Sequence, residues 1–415
     1  MQSAAIPPRP APQTADWLVA VRAGAVLAAA IGVGRFVFTP ILPLMEAEAG
    51  LSAQHAGLVA TANYVGYLVG ALLGIAAPRL GTSQLSLRAS GIVLLLSLPA
   101  MAIAQGTVAW CAIRLVAGVA SALVFIVAGN AILTRLAQAR PQFVGWAYGG
   151  LGVGIALSGV LVALVGLVPA DGPEPGGWRG AWWASTVLAA VLLALGWKLG
   201  NGSASPTAGA SLAAGATGLG ANAAAAPAAR PALRAPLAAS RGRFGLLFAS
   251  YTLEGAGYII AGTFLVAAVH ALDAGPLSSS VWTVVGLAVI PSCAIWTSLA
   301  ARFSRATLIA TALLLQAVGI ALPALIEHAW AGMVAAVLFG ATFMGITTLS
   351  LAEGRALGSP RAVALLTAGY SVGQIAGPLA VVPLLDAGYR GALLVGAGIV
   401  IAAAVAAAGM RGRRS

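Results

Sequence analysis

The sequence predicts an all-α integral membrane protein whose twelve transmembrane helices form two pseudosymmetric six-helix bundles. Three observations support this fold class. Hydrophobic residues make up 60% of the 415 residues and charged residues only 8%, whereas about 25% of a soluble domain is charged. The apolar residues fall into twelve stretches long enough to cross a bilayer, and short patterns from the first half recur in the second.

A transmembrane helix needs about 20 mostly apolar residues to cross the roughly 30 Å hydrocarbon core. Such stretches must be helical because unpaired backbone groups are not tolerated in lipid, and the short alternating segments of a membrane barrel are not visible. We number the stretches as spans 1 to 12, and they cover residues 17–43, 54–77, 89–105, 107–133, 144–168, 181–199, 244–270, 280–301, 306–326, 330–351, 362–385 and 391–410.

The basic residues predict how the chain is oriented. With a cytoplasmic amino terminus, 17 of the 22 Arg and Lys residues fall in cytoplasmic segments. The outer loops hold only Arg179 and Arg390, and Arg22, Arg35 and Arg114 lie within spans. This asymmetry over short loops is the positive-inside pattern. We therefore expect a multi-pass protein of the bacterial inner (plasma) membrane with both termini in the cytoplasm.

The predicted spans divide the chain into two halves. A cytoplasmic tail covers residues 1–16, the first six-helix bundle 17–199 and the second 244–410, followed by a basic tail at 411–415. Residues 200–243 are rich in Ala, Gly, Pro and Ser and lack the apolar residues of a core. They predict a flexible cytoplasmic linker between the bundles.

Internal repetition supports the two-bundle interpretation. Three short matches recur at offsets of 222 or 223 residues, as expected for a duplicated six-helix unit of the kind found in many secondary transporters. The matched pairs are Gly32–Arg35 with Gly255–Tyr258, Gly118 with Gly340, and Tyr148 with Tyr370. Glycines at four-residue spacing also predict close contacts between helices. If these glycines lie between the two halves, they would let the halves slide past each other. They are Gly66-Gly70-Gly74, Gly150-Gly154 and Gly369-Gly373-Gly377.

Three sequence strings resemble the YbfB/YjiJ branch of the major facilitator superfamily. They are GVGRFVFTPILPLM at 32–45, ATANYVGYLVGALLG at 60–74 and YTLEGAGYIIAGTFLVA at 251–267. Arg114 and Gly118 match the superfamily pattern of span 4. The loop between spans 2 and 3 departs from the pattern, with Pro78 in place of an Asp and Thr82 in place of an Arg. The resemblance implies a secondary transporter with a central cavity lined mainly by spans 1, 4, 7 and 10, but it names no cargo.

Glu254 is the only acidic residue inside an apolar stretch. It lies ten residues beyond Phe244, which places it about 15 Å into the membrane. A charge near the bilayer centre costs at least a few kcal/mol, so it is kept there for function or paired with another charge. We hypothesise that Glu254 is the proton-coupling residue, with a structural ion pair to an arginine as the alternative.

Arg35 and Arg114 are predicted to lie at one level near Glu254. Two guanidinium groups against one carboxylate leave an excess of positive charge, and their fork geometry suits carboxylate or phosphate. This favours an anionic substrate bound by both arginines. The resemblance implies the alternative for Arg114, because the span-4 arginine of the superfamily is often bound to the backbone or involved in proton handling.

Six further polar side chains are candidates to line the cavity and orient a substrate. Each of them has hydrogen bonding between helices as its alternative role. They are Asn63, Tyr67, Tyr148, Tyr251, Tyr258 and Gln374, with Tyr370 as an additional member.

Other classes of protein fit the sequence less well. A membrane enzyme would need a cluster of His, Asp or Glu at a membrane face, a channel would show pore loops or charged rings, and a sensor would carry a soluble effector domain. We expect no metal, no cofactor and no nucleic-acid partner. The expected partners are a small-molecule substrate, protons and the lipid bilayer. The protein is expected to be a monomer. Efflux of apolar or cationic compounds and uncoupled facilitation remain alternatives, and the direction and the choice of H⁺ or Na⁺ stay open.

Overall fold

The described part of the chain is almost entirely helical and has no strand. The computed structural model describes residues 14–136, 141–167, 177–199, 237–272, 275–357 and 362–411. Within these ranges, twelve helices are long and apolar enough to cross a membrane. The predicted number of spans is therefore confirmed.

The helices agree with the predicted spans to within a few residues, except at spans 1 and 7. Span 1 is composite, with an α-helix at Thr14–Leu27, a π-helix at Ala28–Val33 and a second α-helix at Phe38–Ala49. Spans 2 to 6 are Ala53–Ala76, Gln84–Ile103, Thr107–Arg135, Pro141–Val165 and Gly177–Gly196. Spans 7 to 12 are Leu237–Leu272, Pro276–Leu299, Arg305–Leu325, Ala329–Ala356, Ala362–Val381 and Tyr389–Gly409.

Span 7 begins seven residues before its predicted start, inside the predicted linker. The segment 237–243 contains Ala, Leu and Arg, which are good helix formers, so it extends the helix. Arg243, the last residue of this segment, forms an ion pair with Glu353 at the end of span 10, with 3.0 Å between Nη2 and Oε1. Arg305 at the start of span 9 lies 3.7 Å from Oε2 of the same carboxylate. The rest of the predicted linker, residues 200–236, lies outside the described residues.

The two halves contact each other most extensively along spans 5 and 8. Glycines on one face of span 5 make this close approach possible, because a Cβ on Gly152 would lie 2.7 Å from the Gly286 carbonyl oxygen and 2.8 Å from the amide nitrogen of Ile290. Span 11 also packs on span 2, and the second helix of span 1 packs on span 7. Spans 3 and 6 pack on elements of their own half.

Hydrogen bonds between the halves occur toward the face opposite the start of span 1, which is the predicted outer face. Thr39 donates to the carbonyl of Gly262 at 2.6 Å, and the hydroxyls of Tyr64 and Thr263 lie 3.0 Å apart. Nearer the surface, two further side-chain bonds join the halves, from Gln54 to Asp386 and from Tyr389 to Glu46. The structure is therefore closed on this side.

The predicted glycine stripes pack within each half and not between the halves. A Cβ on Gly66 would overlap the carbonyl of Leu115 on span 4, and one on Gly373 would overlap the carbonyl of Thr252 on span 7. Gly150 meets Gly24 of span 1 in the same way. The suggested sliding surface is therefore wrong for these residues, and other glycines of span 5 face the second half.

Substituting Gly66 by Ala is expected to destabilise the first half, because the added methyl group meets a backbone carbonyl that cannot rotate away. Overpacking of this kind costs about 1–3 kcal/mol. Thermal unfolding in detergent measures the loss. Gly398→Ala on span 12 is the matched control, since a Cβ there meets no atom within 4 Å. An equal loss of thermal stability in both variants would contradict the packing argument.

Candidate functional site

A break in span 1 positions the two buried arginines. The helix widens to a π-helix at Ala28–Val33 and passes through a turn before Phe38. A break in helical hydrogen bonding leaves carbonyls that need other donors. Arg114 supplies them, since Nη1 donates to the carbonyl of Gly34 at 3.0 Å and Nη2 to that of Arg35 at 2.7 Å.

Arg114 therefore has a structural role in this conformation. Both terminal nitrogens are used on the backbone, and the guanidinium lies over the ring of Phe38 at 5.4 Å. Asn63 reinforces the arrangement, because its amide nitrogen donates to the Arg114 carbonyl at 2.9 Å and joins span 2 to span 4. Of the alternatives left open by the sequence, the geometry favours backbone bonding for Arg114 and helix–helix bonding for Asn63.

Arg35 reaches across to the second half. Its Nη2 donates to the Oε1 atom of Gln374 on span 11 at 3.0 Å. Its guanidinium lies 4.2 Å from the ring centroid of Tyr67 and 5.2 Å from that of Tyr64. The side chain is 2% exposed, and Nε has no hydrogen-bond partner among the described residues. Arg35 is thus a buried cation at the junction of the two halves.

The contacts continue from Gln374 into the second half through aromatic rings. The amide nitrogen of Gln374 donates to the hydroxyl of Tyr258 at 2.5 Å. Tyr258 stacks on Tyr370 at a centroid distance of 5.5 Å, and Tyr370 stacks on Tyr251 at 4.5 Å. Five of the predicted lining residues therefore belong to one contiguous set, namely Arg35, Tyr67, Tyr251, Tyr258 and Gln374.

Glu254 lies at the far end of this set, completely buried. The side chains of Gln316 on span 9 and Tyr370 on span 11 lie close enough to act on its carboxyl group. The angles are not those of a regular hydrogen bond, because both carboxyl oxygens, both amide atoms of Gln316 and the Tyr370 hydroxyl have no partner of regular geometry among the described residues. Span 9 packs on elements of the second half. The carboxyl is therefore inside that half.

This position bears on the alternative role of Glu254. The sequence left open a structural ion pair with an arginine, but none of the ion pairs in the described ranges involves Glu254. Depth does not determine the direction in which a side chain points. Span 7 turns Glu254 toward spans 9 and 11, and the rings of Tyr258 and Tyr370 lie between it and Arg35.

Tyr148 is close to only one of the other predicted site residues in the described ranges, Tyr67. It packs on Phe125 of its own half at a centroid distance of 6.3 Å, and its buried hydroxyl has no hydrogen-bond partner among the described residues. Its electrostatic neighbours are Cys293 and Arg355 of the second half and Tyr67 of its own half. Tyr148 therefore lies at the junction of the halves, toward the face where span 1 begins.

Sequence reasoning missed two groups of residues. The first is Gln316, which lies eleven residues after Arg305 at the start of span 9. This places it about 17 Å along the span, at the depth of Glu254. Its signal in the sequence was a single amide side chain in a long apolar span. The second group is an aromatic set that crosses the junction, for which the sequence held no separate signal. Its members are Phe36, Trp282, Phe339 and Phe343, in ring contact with each other or with Tyr258.

The described residues contain no cluster of three or more His, Cys, Asp or Glu that could hold a metal ion. What the geometry brings together is a buried cation, an amide bridge, a set of stacked rings and a buried carboxyl. This arrangement provides binding groups at the junction of two helical halves.

Comparisons with known proteins agree with the fold. The family model described as "Uncharacterised MFS-type transporter YbfB" matches residues 27–408. The crystal structure of a point mutant of the nucleoside transporter NupG superposes with a TM-score of 0.69 at 15% identity, covering 95% of this chain and 100% of that one. A second NupG structure gives a TM-score of 0.66 at 16% identity, covering 95% and 98%. The comparison with curated proteins finds no match.

The family match covers nearly the whole chain, and the solved structures share its twelve-helix architecture. The chain therefore belongs to the YbfB-like family of major facilitator superfamily transporters, and it is a transport protein and not an enzyme.

Proposed function

We propose that this transporter moves a small organic anion by alternating access, coupled to protons, with the substrate bound beside Arg35. The observation that carries the proposal is the bond from Arg35 to Gln374, which joins the two halves. No acidic side chain pairs with Arg35 in the described ranges, and its contacts there include the amide of Gln374 and the side chains of Tyr64 and Tyr67. A substrate carboxylate or phosphate would supply the missing negative charge.

The rings around Arg35 suggest the rest of the substrate. Phe36 contacts Trp282 at 6.2 Å and Phe343 at 6.3 Å, and both partners belong to the opposite half. Flat rings at a junction favour a flat ligand group by stacking. We therefore propose an organic acid that carries an aromatic ring. NupG is described as a nucleoside transporter, which makes nucleosides a second ring-bearing class to test.

Glu254 is the proposed proton carrier. An ionised carboxylate without a partner in such a buried position is very costly, so we propose that Glu254 holds its proton in this conformation. Separation of the halves would break the bond between Arg35 and Gln374 and free Tyr258 and Tyr370 to move. Water could then reach the carboxyl and take the proton. One proton crossing 100 mV supplies about 2.3 kcal/mol.

Alternating access would require the contacts at the predicted outer face to break. Those contacts include hydrogen bonds from Thr39 to Gly262 and between Tyr64 and Thr263. Such bonds can exchange with water when the halves separate. We propose that this conformation is closed to the outside of an inner membrane in which both termini are cytoplasmic.

The aromatic set also favours one competing function. The same rings would bind a flat cation by cation–π attraction, and Arg114 contributes less free positive charge than the sequence suggested, because it bonds the backbone. Efflux of aromatic cations is therefore the second candidate.

A thermal-shift screen of the purified protein tests the proposal. Aromatic carboxylates, nucleosides and aromatic cations are compared at one acidic and one alkaline pH. We expect aromatic carboxylates to raise the unfolding temperature, because a ligand at 100 times its Kd stabilises by about 2.7 kcal/mol. The shift should be lost in Arg35→Gln and kept in Arg302→Gln, which removes an exposed cation remote from the site. Stabilisation by cations alone would favour the efflux function instead.

A further inference from the structure

A second feature lies on the flank of the first half, away from Arg35. It is a groove of about 640 Å³ between spans 1, 3 and 6. Spans 3 and 6 pack on their own half, and several lining side chains are exposed on the membrane-facing surface, among them Ile92 at 46% and Leu195 at 57%. The lining residues are Arg22, Gly91, Ile92, Leu95, Ala190, Leu193, Ala194, Leu195, Trp197 and Lys198.

The groove is polar at one end and apolar along its length. Arg88 lines a small depression that shares Gly91, Leu193 and Trp197 with the groove. Arg88 lies four residues into span 3, at a depth of about 6 Å, whereas Leu95 lies eleven residues in, at about 17 Å. The cationic groups therefore lie near the face where span 1 begins, and aliphatic side chains extend from them toward the bilayer centre.

The cations of this end are not neutralised by the protein. None of Arg22, Arg88 and Lys198 forms an ion pair with a described residue, and the residues that line the groove include no acid. The guanidinium of Arg88 lies over the ring of Trp197 at 5.3 Å, and its Nε is buried without a hydrogen-bond partner among the described residues. Two positive charges therefore line the groove and a third lies in the adjoining depression, with no ion-pair partner for any of them in the described part of the chain.

Two glycines shape the groove. A Cβ on Gly196 would overlap Val26 of span 1, so this glycine lets span 6 approach span 1 closely at the cationic end. A Cβ on Gly91 would lie 3.5 Å from Leu193, so the absence of a side chain on Gly91 keeps the space between spans 3 and 6 open.

We propose that this groove binds an anionic phospholipid, with the phosphodiester beside Arg22, Arg88 and Lys198 and one acyl chain along Ile92, Leu95 and Leu193. The charge of the headgroup complements three cations without an acidic partner, since basic residues near a membrane surface attract anionic lipids. The aliphatic walls continue the contact beyond the headgroup. This continuity commits the site to a lipid and not to a free phosphate, which would leave the apolar length unused.

Native mass spectrometry of the full-length purified protein tests the proposal. Dioleoyl phosphatidylglycerol is the probe and dioleoyl phosphatidylcholine, with the same acyl chains and no net charge, is the comparison. We expect retained phosphatidylglycerol to exceed phosphatidylcholine at least fivefold. The combined variant R22Q/R88Q/K198Q should remove this preference, whereas R79Q/R302Q/R411Q, which removes three positive charges elsewhere, should keep it.

A second variant tests the shape of the groove independently of its charges. Gly91→Leu fills the space between spans 3 and 6 and leaves all three cations in place, so it should reduce retention of both lipids. If the triple variant does not fold, the exposed Lys198 alone provides the charge test, with a smaller loss of preference expected for Lys198→Gln. Equal retention of the two lipids by the unaltered protein, or full retention by Gly91→Leu, would overturn the proposal.

Discussion

Substitution of Glu254 by Gln is expected to abolish transport driven by a pH gradient while substrate exchange continues. The amide has nearly the size of the carboxyl and cannot release a proton, so the binding groups at Arg35 remain and only the coupling is lost. The steady-state accumulation ratio should fall to about one, because the roughly 2.3 kcal/mol that each proton supplies at 100 mV is no longer used. Proteoliposomes with an internal pH dye and the ligand found by thermal shift measure both processes.

Matched variants make this experiment specific. Glu327→Gln removes an exposed carboxylate that pairs with Arg390 at 3.1 Å and should leave coupling unchanged. Tyr370→Phe removes the hydroxyl next to Glu254 and should slow coupled transport without affecting binding. Undiminished gradient-driven uptake by Glu254→Gln would reject the assignment of Glu254, although the anion site at Arg35 would still stand.

Substitution of Arg114 by Ala is expected to be the most destabilising change in the first half. It leaves the carbonyls of Gly34 and Arg35 without their donors in a buried position, and each lost bond of this kind costs about 1–3 kcal/mol. The removed side chain also leaves a cavity. We expect a total loss of about 3–5 kcal/mol, comparable to breaking a buried charged pair, visible as a large drop in thermal unfolding temperature in detergent.

Arg114→Lys distinguishes the bonding geometry from the charge. Lysine keeps the positive charge, but its single ammonium group does not reproduce a fork that bonds two carbonyls, so most of the loss should remain. Arg79→Ala, in the exposed loop between spans 2 and 3, is the control and should change stability little. Near-native stability of Arg114→Lys would show that Arg114 acts through its charge alone.

These two predictions describe different parts of one arrangement. Arg114 holds the broken region of span 1, and that region presents Arg35 to the second half. Gln374, Tyr258 and Tyr370 then extend from Arg35 to the neighbourhood of Glu254. A substrate that displaces Gln374 from Arg35 would disturb the same side chains that cover the carboxyl. In this proposal, that shared set of contacts links substrate binding to proton release.

The sequence alone determined the membrane class and the twelve spans. Hydrocarbon tolerates only backbones that satisfy their own hydrogen bonds, so length and apolar composition were sufficient. The same cost argument identified Glu254, Arg35 and Arg114 as the unusual charges, because a charge in an apolar span is expensive in any fold. The depth of each followed from the rise of a helix and did not require the positions of its neighbours.

Only the tertiary structure decided which of these charges meet. Rotation of a helix about its axis changes neither its length nor its composition, yet it turns Glu254 toward Gln316 and away from Arg35. Pro40 and Pro43 indicated that span 1 would bend, but only the structure shows that the carbonyls beside the break engage Arg114. Which polar side chains bind a substrate and which stabilise the helices therefore depends on packing between distant spans, because each partner lies on a different helix.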